Sequence, residues 1–409
     1  MKFEFVDEKE RYNAKIKVLG VGGAGGNAIN NMIASKLRGV DFIVANTDCQ
    51  DLDRSTCSQK IQIGPSVTMG LGAGADPEIG KLSCEESINE VRDAIDHSDM
   101  VFITAGMGGG TGTGASPVAA RECKESGALT VAVVTKPFSF EGEKRMKRAM
   151  EGIEELKKEV DSLIIIPNER LKVLGGKSTS FKDLIARADE VLLQAVKGIS
   201  ELIISNGFIN LDFADIKRVM EQMGTAIMGM GSASGENRAA EAAQMAINSP
   251  LLEDISIGGA RGLLMNITGP SDMTMEEIDE ASNYIKEEVN QDAEIFWGVV
   301  FDDNLEDEVH ITVIATGIDN GTGINSNYCP PDYSNVVKIR DITPEEAGES
   351  WTVKMNGESL DTPTYQRKGK ELSTCTEEGE MSLRKRSVLN RFQLKDNLDY
   401  PTFLREKAD

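Results

Sequence analysis

The sequence is poor in the residues on which most covalent and metal-dependent catalysis relies. It contains two histidines, His97 and His310, six scattered cysteines without a Cys-x-x-Cys pair, and only 5% aromatic residues. Neither histidine has a nucleophile-like partner nearby in sequence, and no Gly-x-Ser-x-Gly motif is present. These absences argue against nucleophilic catalysis, a zinc site and a disulfide scaffold, and they predict reduced thiols in the cytosol.

Long apolar runs and an excess of basic residues are also missing. No apolar run reaches 18 residues, and charge follows the first residues directly, so we expect neither a membrane span nor a signal peptide. The 44 basic and 67 acidic side chains give a net charge of −23, which argues against nucleic acid or an anionic membrane as the main partner. We therefore expect a soluble cytoplasmic protein that binds no nucleic acid and does not insert into membranes.

Glycine, by contrast, is abundant, and it is concentrated in loops. Residues 106–114 read Gly-Met-Gly-Gly-Gly-Thr-Gly-Thr-Gly and follow the apolar run 99–105. Without Cβ atoms the backbone can approach a ligand closely, and the helix that follows offers free N–H groups and the positive end of its dipole. Thr111 and Thr113 add hydroxyl donors. This segment predicts a phosphate-binding loop.

A second glycine loop, residues 20–27, follows the first predicted strand and contains Gly-x-Gly-x-x-Gly. Alone it suggests the dinucleotide site of a Rossmann-type oxidoreductase. Two such loops in one sheet favour a single nucleotide whose phosphates lie between them. Residues 71–76 form a third glycine-rich turn, which we place beside the phosphates. Gly176-Lys177-Ser178 is not a Walker motif, because Leu171 stands where its first glycine is needed.

Alternating strand and helix patterns predict an α/β fold with a doubly wound, mostly parallel sheet. Predicted strands cover residues 16–19, 41–46, 100–105, 129–135 and 162–167, with helices at 27–35, 83–95 and 142–160. One long helix, 180–205, is capped by Ser180 or Thr179 and connects to a second, smaller α/β domain. There we predict helices at 212–229, 235–248 and 274–289 and strands at 262–268, 295–301 and 309–316.

These patterns divide the chain into six segments. We predict a flexible segment 1–14, a nucleotide-binding domain 15–179, a central helix 180–206, a C-terminal α/β domain 207–317, a disordered linker 318–394 and a partner-docking peptide 395–409. The peptide contains the apolar stretch Leu398-Asp-Tyr-Pro-Thr-Phe-Leu-Arg405. A frayed end that packs back on the body is the alternative.

Two pairs of charged residues have both a structural and a functional interpretation. Glu141 and Arg145 are spaced i, i+4, so they suit a helix-surface ion pair or contacts to a ribose and phosphate. Asp212 and Asp215 share one face of a helical first turn. As residues alone, they are more readily explained as helix-capping and dipole-compensating carboxylates than as catalytic groups.

Taken in order, these segments resemble the FtsZ family of tubulin-like cell-division GTPases. The specific elements are residues 20–27, 71–75, 106–114, 137–145 and 210–215, and the resemblance extends from about residue 15 to 317 and resumes at the C-terminal peptide. It implies GTP and GDP as ligands with Mg²⁺ on the phosphates, without direct side-chain ligands to the metal. It implies hydrolysis between head-to-tail subunits of a filament at the division site.

The resemblance also assigns residues. Asp212, Asp215 and Asn210 would complete the active site of the adjacent subunit. Asn168 and Asp189 would contact the guanine, and Glu141 and Arg145 the sugar and phosphate region. The remaining nucleotide contacts would come from the glycine loops: Gly22, Gly23, Ala24, Gly25, Gly26, Asn27, Ala73, Gly74, Gly106, Gly108, Gly109, Gly110, Thr111, Gly112, Thr113 and Gly114.

Two positions depart from the family pattern. Ile185 stands where the family commonly has a base-stacking Phe, and Tyr400 stands where the docking peptide often has an aliphatic residue. By resemblance that peptide, residues 398–405, binds adaptor proteins that anchor filaments to the membrane. Two alternatives stay open at this point: a non-catalytic tubulin-like scaffold and the Rossmann-type oxidoreductase.

Overall fold

The computed structural model describes residues 14–175, 180–204, 212–221, 224–252, 259–290, 293–302, 305–318, 354–355 and 358–359. The chain divides into two units, Met1–Cys329 and Pro330–Asp409. The first half of the larger unit contains, in chain order, β1 (Ile16–Val21), α1 (Gly22–Ala34), β2 (Val40–Asn46), α2 (Cys49–Arg54), β3 (Gln59–Gln62), α3 (Pro65–Thr68), α4 (Pro77–Glu86), α5 (Ile88–Ile95), β4 (Met100–Gly106), α6 (Thr111–Glu125), β5 (Leu129–Lys136), α7 (Glu143–Glu159), β6 (Ser162–Pro167) and α8 (Asn168–Gly175).

The second half of this unit begins with the long helix α9 (Phe181–Ile204). It continues with α10 (Phe213–Met220), β7 (Gly224–Ser234), α11 (Arg238–Ile247), β8 (Gly262–Gly269), α12 (Met275–Glu288), β9 (Glu294–Phe301) and β10 (Glu308–Ile318). No helix among the described residues has both the length and the apolar character needed to cross a bilayer.

One ten-stranded sheet runs through the unit in the order β3-β2-β1-β4-β5-β6-β7-β10-β8-β9. The strands from β3 to β7 are parallel to one another. Strand β10 pairs antiparallel with β7 and β8, and β9 returns parallel to β8. The predicted α/β fold with a mostly parallel, doubly wound sheet is confirmed, although the strands of both halves form one continuous sheet. The domain boundaries given above stay a prediction.

Helices cover both faces of the parallel part of the sheet, so its strands are apolar on both sides. Alternate residues of one strand belong to different cores: Met100 and Phe102 of β4 pack with α1 and α9, whereas Val101 and Ile103 pack with α4 to α7. This alternation follows from the period of two along a strand.

Helix α9 connects the two halves of the sheet. The predicted cap is confirmed, since the Ser180 hydroxyl accepts from the backbone N–H of Asp183 at 3.2 Å. Leu192, Ala195 and Ile199 are buried in the core that also contains Met228 of β7. Because one helix contributes to the core under both halves, its 24 residues set the spacing between them over about 36 Å.

The structure corrects two predicted helices. The helix expected over 212–229 ends at Met220, and residues 224–234 form strand β7. A Cβ on Gly229 or Gly231 would lie 2.1 Å from a backbone oxygen of α11, so these small residues mark close helix–strand packing. The helix expected over 83–95 is two helices that meet at Ser87, whose hydroxyl accepts from the N–H of Gly64 at 3.1 Å.

The smaller unit is described at four residues, which lie in the segment predicted to be a disordered linker. Lys354–Met355 and Glu358–Ser359 pair as two short antiparallel strands, β11 and β12. The sequence between them is Asn-Gly, the strongest short-range signal of a hairpin turn. These four residues pair within the segment predicted as a linker, and β10 extends to its first residue, Ile318; the division into domains and linker stays a prediction.

A buried arginine joins three elements of the C-terminal half. Arg238, at the start of α11, is 6% exposed. Its guanidinium donates to Glu277 at 2.7 Å, Asp272 at 3.0 Å and Asp307 at 2.7 Å. The two aspartates are exposed, whereas Glu277 is shielded and also caps α12. Removing the arginine would leave the Glu277 charge in low dielectric without its partner.

We predict that Arg238→Ala lowers the free energy of unfolding by about 2–4 kcal/mol, because a shielded carboxylate loses its partner. Urea denaturation followed by circular dichroism measures this loss. Arg218→Ala is the matched control, since Arg218 forms an exposed pair with Glu294 and such pairs contribute about 1 kcal/mol or less. Equal losses in the two variants would contradict the role given to the Arg238 cluster.

Candidate functional site

The two predicted phosphate loops touch each other through backbone atoms. They lie at the carboxyl ends of β1 and β4, which are neighbours in the parallel sheet. The first is not a separate loop, because β1 ends at Val21 and α1 begins at Gly22. The contact between them is at Gly22, which adopts φ +74° and whose Cβ position lies 3.0 Å from the backbone N of Gly112. A Cβ on Gly25 would lie 2.4 Å from the Thr104 carbonyl oxygen of β4, and one on Gly112 would lie 2.6 Å from the Gly106 carbonyl oxygen within the second loop. A side chain at any of these glycines would push the backbone out of this arrangement.

Within the second loop, two threonines have different environments. The Thr113 hydroxyl accepts from the Gly108 N–H at 2.8 Å and is buried, so it fixes the loop from inside. The Thr111 hydroxyl lies at the edge, 2.6 Å from that of Thr47. Thr47 was not predicted, although its place directly after β2 at the same edge of the sheet could have indicated it. Gly109 has no neighbour within 4 Å of a Cβ position.

The third glycine turn forms a wall beside the second loop. A Cβ on Gly110 would lie 2.8 Å from the Ala73 Cβ and 3.0 Å from the backbone of Asp76. Asp76 then caps α4 by accepting from the Glu78 N–H at 3.0 Å. The predicted residues Ala73 and Gly74 therefore lie beside the loop of residues 106–114, with Gly74 open on its Cβ side.

Glu141 and Arg145 form the helix-surface ion pair, with Nη1 and Oε2 3.0 Å apart. They also lie beside the second loop, because a Cβ on Gly108 would meet the Arg145 carbonyl oxygen at 2.7 Å. Glu141 uses its other oxygen to accept from the Phe138 N–H at 2.8 Å. The two interpretations of this pair are therefore compatible, since the ion pair holds Arg145 near the loop.

The residues assigned to the base lie on α8 and α9. Asn168 directly follows β6 and is 8% exposed, and its Oδ1 has no hydrogen-bond partner. Burial raises the pKa of Asp189 to about 6. Ile185, one turn before Asp189, is exposed. A buried amide oxygen without a partner is rare in folded proteins, and such a donor-seeking group fits a site for a hydrogen-bonding ligand.

Asp212 and Asp215 lie at the opposite edge of the sheet. The glycine loops follow the carboxyl ends of β1 and β4, whereas α10 leads into Gly224, which pairs with Ser162, the first residue of β6. Helix α9 covers this distance, since its last residue, Ile204, contacts Gly39 just before β2. The structure therefore does not bring the two aspartates and the glycine loops together within one chain. Asn210 lies outside the described residues.

The two aspartates form a compact acidic pair at the start of α10. The Asp212 carboxylate accepts from the Asp215 N–H at 3.0 Å and so caps the helix. Desolvation, together with the hydrogen bond and charge of Asp212, raises the pKa of Asp215. Both side chains are accessible to solvent. They can therefore cap the helix and still face a partner.

The arrangement suits an anionic ligand that also has a hydrogen-bonding ring. Helices α1 and α6 begin at the two glycine loops, so the free N–H groups and positive dipole ends of both are at one edge of the sheet. The two glycine segments suit phosphates because no side chains lie between their backbones and a ligand. Gly109, which has no neighbour within 4 Å of a Cβ position, leaves space there. Within the described part of the chain, no group of three His, Cys, Asp or Glu side chains is placed to bind a metal ion.

Two family models match the chain. The GTPase domain of the Tubulin/FtsZ family matches residues 15–175, and the C-terminal domain of the FtsZ family matches residues 224–319. The first contains both phosphate loops, and the second begins at β7.

Curated relatives and solved structures agree with these matches. The cell division protein FtsZ of Bartonella bacilliformis is 53% identical over 339 residues, which are 83% of this chain and 57% of that protein. The FtsZ of Rickettsia conorii is 54% identical over 332 residues, 81% of this chain and 72% of that protein. The chain thus matches between about half and three quarters of the length of these relatives.

Among structures, the empty FtsZ dimer of M. jannaschii superimposes with a TM-score of 0.73 at 47% identity, over 76% of this chain and 91% of that one. The GDP-bound CetZ1 monomer of Haloferax volcanii gives a TM-score of 0.65 at 24% identity, over 75% and 95% of the two chains, which supports the fold. The match to a GTPase domain favours a GTPase over the two alternatives, an oxidoreductase and a non-catalytic scaffold. The chain belongs to the FtsZ family of filament-forming cell-division GTPases.

Proposed function

We propose that the chain hydrolyses GTP at sites shared between consecutive subunits. The observation that carries this proposal is the separation of the site: the phosphate loops lie at the carboxyl edge of the parallel strands, and Asp212 and Asp215 lie at the amino edge. Head-to-tail stacking places the acidic pair of one subunit against the loops of the next. Such a contact is heterologous and does not close, so it extends into a filament.

In this site each group has a role that its surroundings support. The glycine loops and the N-termini of α1 and α6 hold the phosphates. Asn168 and Asp189 bind the guanine, the carboxylate accepting from N1–H and the exocyclic amine. Glu141 keeps Arg145 beside the sugar and phosphates. Mg²⁺ on the phosphates would offset their charge and polarise the terminal phosphate.

The acidic pair would supply a base near the terminal phosphate. Asp212 and Asp215 would orient and polarise the attacking water from the neighbouring subunit, together with Asn210 from the same loop. Because the pair already lies on a fixed helix start, it needs no rearrangement to present two carboxylates.

Exposed apolar side chains near the glycine loops support a protein contact at this edge. Met69 and Leu71 are 80% and 81% exposed and lie in the loop that leads to Ala73. Phe140, next to Glu141, is also exposed and stacks on Phe138 at 5.1 Å. Single exposed apolar residues are ordinary, but this concentration beside a nucleotide site fits coverage by a second copy of the chain.

We further propose that residues 398–405 bind membrane-anchoring adaptor proteins, which places the filaments at the division site on the inner face of the membrane. These residues lie outside those that the structure describes, so their sequence alone supports this proposal. A chain truncated after residue 394 should keep GTP turnover and assembly but lose its position at the division site. Normal positioning of the truncated chain would refute this role.

The shared site predicts that Asp212→Asn keeps nucleotide binding and loses turnover. Asparagine caps a helix as well as aspartate does, so α10 stays intact, whereas the carboxylate that orients water is lost. We expect phosphate release to fall by about 10²- to 10⁴-fold and the Kd for GTP to stay within about twofold. Phosphate release and equilibrium binding of a fluorescent GTP analogue measure the two quantities.

Asp212→Ala serves as the comparison, because it also removes the cap at a loss of about 1 kcal/mol. Turnover should be lost in both variants, and the melting temperature should fall only in the alanine variant. A normal rate in Asp212→Asn would show that no carboxylate is required there. Lost binding in either variant would place this loop in its own subunit's pocket.

The environment of Asp189 predicts that GTP binding weakens in acid. Guanine recognition needs the ionised carboxylate, and burial raises the pKa of Asp189 to about 6 in the free protein. The ionised fraction therefore falls as the pH drops through 6, and the Kd at pH 5 should be about tenfold higher than at pH 7.5.

Asp189→Asn controls for the titration of the phosphates, which is the same for both proteins. Its Kd should be higher than that of the wild type at pH 7.5, and the difference should shrink toward pH 5. If the ratio of the two Kd values is constant over this range, the ionisation of Asp189 does not control binding.

A further inference from the structure

Arg148 ties helix α7 to the loop of residues 71–76. Its guanidinium Nη1 donates to the Ala75 carbonyl oxygen at 2.8 Å. Arg148 lies three residues after Arg145, on the helix whose first turn lies beside the second phosphate loop. The bond therefore connects the two structures that flank that loop.

The loop has a backbone conformation that needs external support. Gly72 and Gly74 adopt φ values of +86° and +59°, and Ala75 adopts +61°. A left-handed alanine costs about 1–2 kcal/mol relative to its ordinary conformation, and strained residues of this kind persist only where their surroundings hold them. The hydrogen bond from Arg148 is one such restraint on Ala75 itself.

The position of this loop shapes the phosphate site. Ala73 is buried against Gly110, and Asp76 lies against the same glycine on the other side of Ala75. Gly110 directly precedes α6, so it borders the N–H groups assigned to the phosphates. A shift at Ala75 would therefore move the wall of the site.

The surroundings of Arg148 argue against a direct, long-range attraction for the nucleotide. A cavity of about 220 Å³ beside it is lined by Glu78, Glu151 and Glu155 as well as by Lys81. The acidic groups from α4 and α7 weaken the field of the guanidinium at the phosphates. Its effect must come through the carbonyl that it holds.

We propose that Arg148 is a positioning residue for GTP: it locks the left-handed turn at Ala75 and thereby fixes the loop of residues 71–76 against the phosphate loop. This inference rests on the proposed assignment of that loop to the phosphates. It adds a residue outside the glycine loops on which nucleotide affinity depends.

The test is equilibrium binding of a fluorescent GTP analogue to dilute full-length protein, with the melting temperature measured in parallel. Arg148→Ala should raise the Kd about three- to tenfold, which corresponds to the loss of one hydrogen bond of ordinary net strength, without changing the melting temperature by more than about 2 °C. Arg148→Lys should restore most of the affinity, since an ammonium can donate to the same carbonyl. Lys147→Ala, which removes the same charge from an exposed neighbour, should bind normally.

A second substitution separates positioning from direct contact. Ala75→Gly removes the Cβ penalty of the left-handed turn, so in the Arg148→Ala background it should recover part of the lost affinity. No recovery, together with a lysine variant as weak as the alanine variant, would overturn the proposal, as would normal binding by Arg148→Ala. Failure of the wild-type protein to bind the analogue would instead refute the phosphate-site assignment.

Discussion

The structure depends on the close approach of two backbone segments at the carboxyl edge of a parallel sheet. Strands β1 and β4 are neighbours, and the backbone segments at their carboxyl ends approach so closely that there is no room for a Cβ between them. Because Gly22 lies against the backbone N of Gly112 and Gly25 lies against β4, the first turns of α1 and α6 start side by side. Two helix N-termini are then available to one anionic ligand, which would offset the unfavourable field of a chain with a net charge of −23.

The second constraint is the length and direction of α9. It starts near the carboxyl edge of the sheet, and its last residue, Ile204, contacts Gly39 at the amino edge, so α10, which follows it, lies away from the phosphate loops of its own chain. The acidic pair at Asp212 and Asp215 is thus held away from the site that it suits chemically. In this account, assembly and catalysis are linked by geometry, because only a neighbour can bring the pair to the loops.

Local patterns predicted the parts of the site that local structure determines. A glycine-rich segment between a strand and a helix is typical of phosphate binding. Residues 20–27 and 106–114 could therefore be proposed as phosphate-binding segments from composition and position. The Ser180 cap and the following apolar spacing gave α9 to within a residue at either end. For Asp212, the residues alone favoured a cap, which the structure confirms; a catalytic role could come only from family resemblance.

Features set by tertiary contacts could not be predicted in this way. Strand β7 contains glycine where α11 packs closely, so Thr225 and Ile227 are its only β-branched residues, although such residues mark most strands. Arg148 donates to Ala75, which is distant in sequence, and no residue near Arg148 in the sequence indicates this partner. For Thr47, its place after β2 indicated the edge of the sheet but not the bond to Thr111. The pairing of residues 354–355 with 358–359 was not predicted, although Asn-Gly lies between them in the sequence, because the polar composition of this segment favoured disorder.

The central claim is that one chain holds only part of a GTPase site. Phosphate release from GTP, measured as turnover per protein molecule across a range of protein concentrations, tests it most directly. The account predicts a rate near zero in dilute protein and a rise beyond a threshold concentration, where subunits begin to stack. A measurable rate that stays constant down to the lowest concentrations would place a complete site inside a single chain and contradict the account.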